Sequence, residues 1–98
     1  MLQIKLTMVN LTIANEIRKQ LGSKALFMFR AKNFVGDDKS LTFRILGCKK
    51  YSYINIALNG MDLYDITFYK IVKFEIKNKK VVSDVYVEDL HKTIETNS

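Results

Sequence analysis

Three stretches between Ser40 and Lys77 alternate apolar and polar side chains one by one. From Ser40, Leu41, Phe43 and Ile45 fall on one parity, with Thr42 and Arg44 between them. From Tyr53 to Asn59, Ile54, Ile56 and Leu58 alternate with Tyr53, Asn55 and Ala57. Leu63 to Lys77 reads as β throughout, with Ile66, Phe68, Val72, Phe74 and Ile76 on a parity that Lys70 interrupts. That interruption predicts a bulge, bend or turn near Tyr69 to Ile71. A period of two marks a strand with one buried and one wet face. Strands in succession on short loops predict an antiparallel meander. Phe43, Ile54, Ile56 and Phe74 are therefore expected in the core.

The breakers divide these runs. Val35-Gly36-Asp37-Asp38 predicts a turn before Ser40, with Gly36 free to take positive φ and two side chains able to bond their own backbone. Asn59-Gly60 is the strongest hairpin signal. Asn78-Lys79-Lys80 reads as a polar loop leading to Val81-Val82. Before the first strand, Ile13, Ile17 and Leu21 recur every four residues beside Ala14, which predicts an amphipathic helix capped by Thr12 and ended by Gly22 in αL. Ala25 to Phe29 is apolar on both sides and predicts a buried strand. After the last strand, Ser83 is expected to cap a helix that buries Val87, Leu90 and Ile94 and pairs Glu88 with Lys92. Met1 to Val9 alternates as well, so residues 1–11 read as a short strand or extended arm, and 96–98 are expected to fray. The fold class expected is α+β: an N-terminal helix, a four- to five-stranded antiparallel meander sheet and a C-terminal helix, in one two-layer domain over residues 1–98.

Length and charge narrow the partners. The 98 residues suffice for one core without metal or disulfides. Cys48 is the single cysteine, which excludes an intrachain disulfide and suits a reducing compartment. No apolar run approaches the roughly 20 residues that span a bilayer, and Met1 to Val9 lacks the apolar h-region of a signal peptide. A cytoplasmic protein is expected. The formal charge of +6 favours acidic partners such as nucleic acid or a ribonucleoprotein; the plain alternative is a lysine-rich solvated surface.

Catalytic and metal-binding patterns are weak. His91, the single histidine, lacks companions at ligand spacing. Cys48 with His91 has no motif behind it as a nucleophile and base. Asp37-Asp38 beside glycine is usual turn chemistry, and Asp62 and Asp65, three apart in extended chain, face opposite ways. Gly22, Gly36, Gly47 and Gly60 are too scattered to cradle a phosphate. No enzyme, cofactor or metal is expected.

One constellation carries more. The polar parity of the strands collects Thr42, Arg44, Tyr53, Asn55, Thr67, Tyr69, Lys73, Glu75 and Lys77, flanked by Lys49, Lys50, Lys79 and Lys80. Rings and cations on an open sheet suit single-stranded RNA, because rings stack bases while cations meet phosphates. The expected contacts are Arg44, Lys49, Lys50, Tyr53, Tyr69, Lys73, Lys77, Lys79 and Lys80. Tyrosine and threonine also favour strands for their own sake, and no RNP-type motif is present.

Blocks of sequence add a resemblance. They are Thr12-Ile13-Ala14, Gln20-Leu21-Gly22, Ala31-Lys32-Asn33-Phe34-Val35, Ser40-Leu41-Thr42-Phe43, Leu58-Asn59, Leu63-Tyr64-Asp65 with Phe68 and Lys70-Ile71, and Val85-Tyr86 with Asp89-Leu90. In this order, over Thr12 to Ile94, they resemble a family of small proteins carried by phages, plasmids and integrative elements. The chain departs from the pattern at Arg30, usually Gly, at Val87, usually Ala, and at Val72, where an Arg commonly follows Lys-Ile. The resemblance implies a mobile-element accessory protein and brings no catalytic residues. Many such proteins act in counter-defence, and some are anti-CRISPR inhibitors of RNA-guided nucleases; that step follows context, not a motif. The expectation is a non-enzymatic inhibitor that binds a host CRISPR effector ribonucleoprotein or its guide RNA. The alternative is a nucleic-acid-binding accessory protein of the element.

Overall fold

A computed structural model describes residues 11–46 and 50–97. Helices α1 (Thr12–Leu21) and α2 (Ser23–Met28) precede strands β1 (Lys32–Gly36), β2 (Ser40–Arg44), β3 (Tyr53–Leu58), β4 (Tyr64–Val72) and β5 (Glu75–Val85). A 3-10 turn, Val87–Asp89, leads into helix α3 (Leu90–Asn97). The strands form one antiparallel sheet in the order β1-β2-β3-β4-β5, a meander as expected. The chain is an α+β protein with its helices on one side of an open sheet.

The register explains why that side is the core. Phe43 pairs with Ile54 and Ile54 with Phe68, while Leu41 pairs with Ile56 and Ile56 with Ile66. These six side chains are buried, in one cluster with Ala14, Ile17 and Leu21 of α1, Leu26 of α2, and Leu90 and Ile94 of α3. Phe34 adds a ring against Phe43, with centroids 5.5 Å apart, and Arg18 of α1 lies 4.1 Å over Phe34. Tyr64 reaches from β4 to α1, its hydroxyl donating to Gln20 Oε1 at 2.8 Å.

Several expectations are corrected. Ala25 to Phe29 is not a buried strand. It lies in α2 and its cap, where Ala25 and Leu26 are buried and Phe27 and Met28 are exposed. Five residues are too few for periodicity to separate a helix from a strand. Gly22 does not take αL. Its φ of 85° and ψ of 149° lie near the region only glycine visits, and there it ends α1 and starts α2. The helix α1 begins at Thr12 itself, with Leu11 in the cap position. Ser83 lies inside β5, so the last helix starts later than expected, and Val87 is exposed. Asn78-Lys79-Lys80 is also strand, not loop. Helix α3 continues through Thr96 and Asn97, where fraying is expected; Lys80 Nζ donates to Asn97 Oδ1 at 2.7 Å. The expected strand or arm over residues 1–11 lies outside the described residues except for Leu11, which caps α1.

The turns also work differently. The stretch before Ser40 is strand β1 as far as Gly36, so the turn is shorter than expected. Asp37 Oδ1 accepts from the backbone N–H of Lys39 at 3.0 Å and of Ser40 at 2.8 Å. Those bonds hold its carboxyl below the ordinary carboxylate value. Gly36 serves close approach, not positive φ. A Cβ there would stand 2.8 Å from Ala14 Cβ, so α1 rests directly on the end of β1. Between β3 and β4, Asn59 Oδ1 accepts from the N–H of Met61 and of Leu63, and Asp62, not Gly60, carries the positive φ. Between β4 and β5 the chain reverses at Lys73 and Phe74. Phe74 is therefore fully exposed instead of buried.

Two consequences are testable by thermal unfolding. Gly36→Ala should destabilise by about 1–3 kcal/mol, because α1 must shift to admit the methyl. Arg30 sits at φ 54° after α2, where Arg30 N–H donates to Phe27 O and Ala31 N–H to Leu26 O. That pair of bonds is a Schellman cap, whose left-handed position normally takes glycine. Arg30→Gly should stabilise by roughly 0.5–1 kcal/mol, the relief of the Cβ clash less the added freedom of the unfolded chain.

Candidate nucleic-acid interface

The sheet face away from the helices is built in rows. Arg44, Tyr53 and Tyr69 are successive register partners on β2, β3 and β4. The Tyr53 and Tyr69 rings stack, 5.4 Å between centroids and 10° from parallel. Thr42, Asn55 and Thr67 form the next row. Asn55 Nδ2 donates to Thr42 Oγ1 at 2.8 Å and to Ser40 Oγ at 3.3 Å, which ties the row together. Beside Tyr69 lies a hollow of about 270 Å³ lined by Asn55, Thr67, Tyr69, Ile76 and Lys79. It is smaller than the roughly 300 Å³ at which small-molecule sites begin, so it suits one flat ring better than a whole ligand.

Bulges on β5 decide which cations join this face. Phe68 pairs with Lys80 but Lys70 with Lys77, so β5 gains a residue opposite Tyr69, and Asn78 takes φ 53° there. A second shift near Asp84, at φ 58°, lies opposite Asp65. The first bulge puts Lys79 beside Tyr69 and turns Lys80 toward α3. Lys77 therefore falls on the opposite parity from the one expected, and Ile76 takes its place on the open face opposite Ile71. Lys77 Nζ pairs instead with Glu75 at 3.3 Å, in solvent. Lys73 sits in the turn, on neither face.

Lys50, Tyr51, Asn78, Lys79 and Lys80 line a second hollow of about 440 Å³. Asn78 Nδ2 donates to the Lys50 carbonyl at 3.3 Å, which fixes the loop to the bulge. Lys49, expected in the same group, lies outside the described residues. Of the expected residues, then, Arg44, Tyr53, Tyr69 and Lys79 come together on one face, Lys50 lies at its edge, and Lys80 turns to the helix side. Asn55, Thr67 and Ile76 share that face with Thr42, Ile71 and the exposed Val35 and Val81. Asn55 and Thr67 follow from strand parity, whereas Ile76 depends on the bulge, which falls beside Tyr69 where the parity break at Lys70 predicts an irregularity but whose extra residue lies on β5.

The meander also sorts the charges. Arg44, Lys50, Lys70, Lys73, Lys77, Lys79 and Lys80 lie toward one end of the strands, with Glu75 among them. Asp37, Asp38, Asp62, Asp65 and Asp84 lie toward the other, with Lys39. Arg44 Nε is buried with no hydrogen-bond partner among the described residues. His91 is half exposed on α3, edge-on to Phe29 and 3.9 Å from Glu95. Among the described residues, no group of three or more His, Cys, Asp or Glu side chains could hold a metal ion, and no helix is long and apolar enough to cross a membrane. No family model, curated protein or solved structure matches this chain.

The stacked pair makes a spectroscopic prediction. Burial, and secondarily the neighbouring Tyr53, push the Tyr69 phenol above its ordinary value of 10.0. In an alkaline absorbance titration, Tyr53→Phe should lower the Tyr69 value only in part, because burial remains. A group held above its unfolded value stabilises the fold below pH about 10, and that contribution is lost as the pH rises through the folded value.

Proposed function

We propose that this chain is a non-enzymatic nucleic-acid-binding protein of a phage or other mobile element. It takes a single-stranded segment across the open sheet face. The observation that carries this reading is the stacked Tyr53–Tyr69 pair, between Arg44 and Lys79, on a sheet face that no described helix covers. Each ring keeps one face turned away from its partner. A base that slides against the free face of Tyr69 enters the hollow beside Lys79, which is placed to meet the adjoining phosphate.

A second reading is supported by the separation of charge. A protein with one basic and one acidic end suits a partner that offers RNA and basic protein together, as a guide-loaded nuclease does. This reading is counter-defence: inhibition of a host CRISPR effector by contact with its guide RNA and protein. Its support beyond charge is the resemblance to mobile-element proteins.

Binding to labelled single-stranded oligonucleotides tests the first reading. Tyr53→Ala and Tyr69→Ala should each weaken binding by about 1–3 kcal/mol, at high salt as well as low, because stacking releases no counterions. Lys50→Gln with Lys79→Gln should leave the thermal midpoint nearly unchanged and flatten the dependence of log K on log salt by about 0.7 for each phosphate that the protein no longer neutralises. Folded tyrosine variants with unaltered affinity would remove the sheet face as the site. Recovery of a guide-loaded nuclease, and not free nucleic acid, in a pull-down from the host would select the second reading.

A further inference from the structure

The last residues of β4 and the first of β5 leave the body of the sheet. Tyr53, the first residue of β3, pairs with Tyr69, and Ser52 N–H donates to Tyr69 O. Among the described residues, β4 beyond that point pairs with β5 alone, and residues 71–80 are all exposed. The result is a two-stranded finger that continues past the stacked tyrosines. Its apolar side chains, Ile71, Val72, Phe74 and Ile76, stand in solvent, and Phe74 at the tip is 102% exposed.

The tip is built against local preference. Lys73 and Phe74 take φ of 51° and 68°. Two successive positive-φ residues in a two-residue hairpin make the turn that Asn-Gly favours, and a bulky residue there is an outlier. Glycine at the tip would remove the Cβ clash and a solvated ring at once. Phe74 contributes nothing to the core, so the fold gives no reason for an aromatic ring at this apex. Retained strain of this kind, with a bare ring at its centre, points to use.

We infer that the finger is a second base-stacking position, with Phe74 taking a base of the same single strand that lies on Tyr53 and Tyr69. The inference rests on the nucleic-acid reading of the sheet face and extends that site outward. Charge selects this occupant over an apolar protein pocket, since Lys70, Lys73 and Lys77 run along the finger with Glu75 as its single carboxylate. Distance fits as well. Val72 pairs with Glu75, so Lys73 and Phe74 lie side by side in the turn, about four residues of strand beyond Tyr69, roughly 13 Å at about 3.3 Å per residue. A stacked strand rises about 3.4 Å per nucleotide, so the tip lies about four stacked nucleotides beyond the platform, fewer if the strand is stretched.

The test measures affinity for single-stranded oligonucleotides of increasing length. The unaltered protein should show a step in affinity where the oligonucleotide becomes long enough to reach the tip. Phe74→Ala should lose that step, roughly 5- to 150-fold for the long oligonucleotide, and keep its affinity for a short one. Lys73→Asn with Phe74→Gly should unfold at a higher temperature and lose the step as well, which separates the role of the ring from any effect on folding. A Phe74→Ala protein that binds long oligonucleotides as tightly as the unaltered chain would overturn the inference. So would a dimer in sedimentation that dissociates on Phe74→Ala, because the finger would then be a contact between copies. Failure of the unaltered chain to bind oligonucleotides of any length would overturn the platform reading along with it.

Discussion

The structure depends on burying one face of a five-stranded sheet and leaving the other in water. Phe43, Ile54 and Phe68 form a row across three strands, and Leu41, Ile56 and Ile66 a second beside it. A slip of one residue in any of these pairings would turn a whole strand's apolar set to solvent. The register is therefore held by burial, and the three described helices cover what the register presents. Gly36 sets how closely the first of them can approach, since only the missing Cβ lets Ala14 come so near. Among the described residues the helices all lie on one side, and the opposite side carries Arg44, Tyr53 and Tyr69.

Bulges then reshape what parity alone would place. An extra residue in β5 leaves the two strands paired but exchanges the faces beyond it. That single event puts Lys79 beside Tyr69, sends Lys80 to Asn97 on α3, and brings Ile76 to the open face. The second bulge draws Asp84 toward Asp65, where Asn59 Nδ2 donates to both carboxylates, at 2.8 and 3.1 Å. One bulge thus serves the basic end of the sheet and the other the acidic end. Positive φ at Asn78 and Asp84 falls on residue types that tolerate it.

The finger differs from the rest of the fold in what holds it. In the sheet body, backbone bonds are backed by a core. Past Tyr69 the ladder between β4 and β5 stands with water on both sides, and an isolated two-stranded hairpin is marginal in water. A segment of this kind opens more easily than the body, and its tip carries strain besides. Rigid platform and compliant finger are neighbours along one strand, β4, which suits a site that must hold one part of a flexible ligand and adapt to another.

The strands that build the core were legible in the sequence because each shows a clean period of two over five or six residues: Leu41 and Phe43, Ile54 and Ile56, Ile66 and Phe68. The open face was legible for the same reason, as the complement of that pattern, and Arg44, Tyr53 and Tyr69 stand on it as their parity requires. Local pattern fails where the deciding contact is remote. Ala25 to Phe29 is a helix because its inner side packs under α1 and its outer side meets water, and five apolar residues do not reveal which is which. Phe74 leaves the core because the chain reverses at Lys73-Phe74, a turn that residue preference argues against. Lys77, Lys79 and Lys80 find their separate places through a bulge that exists only in the pairing of β5 with β4. Periodicity along one strand determines which side chains share a face. Only the partner strand decides where that periodicity is broken, because the extra residue of a bulge is defined by what lies across from it.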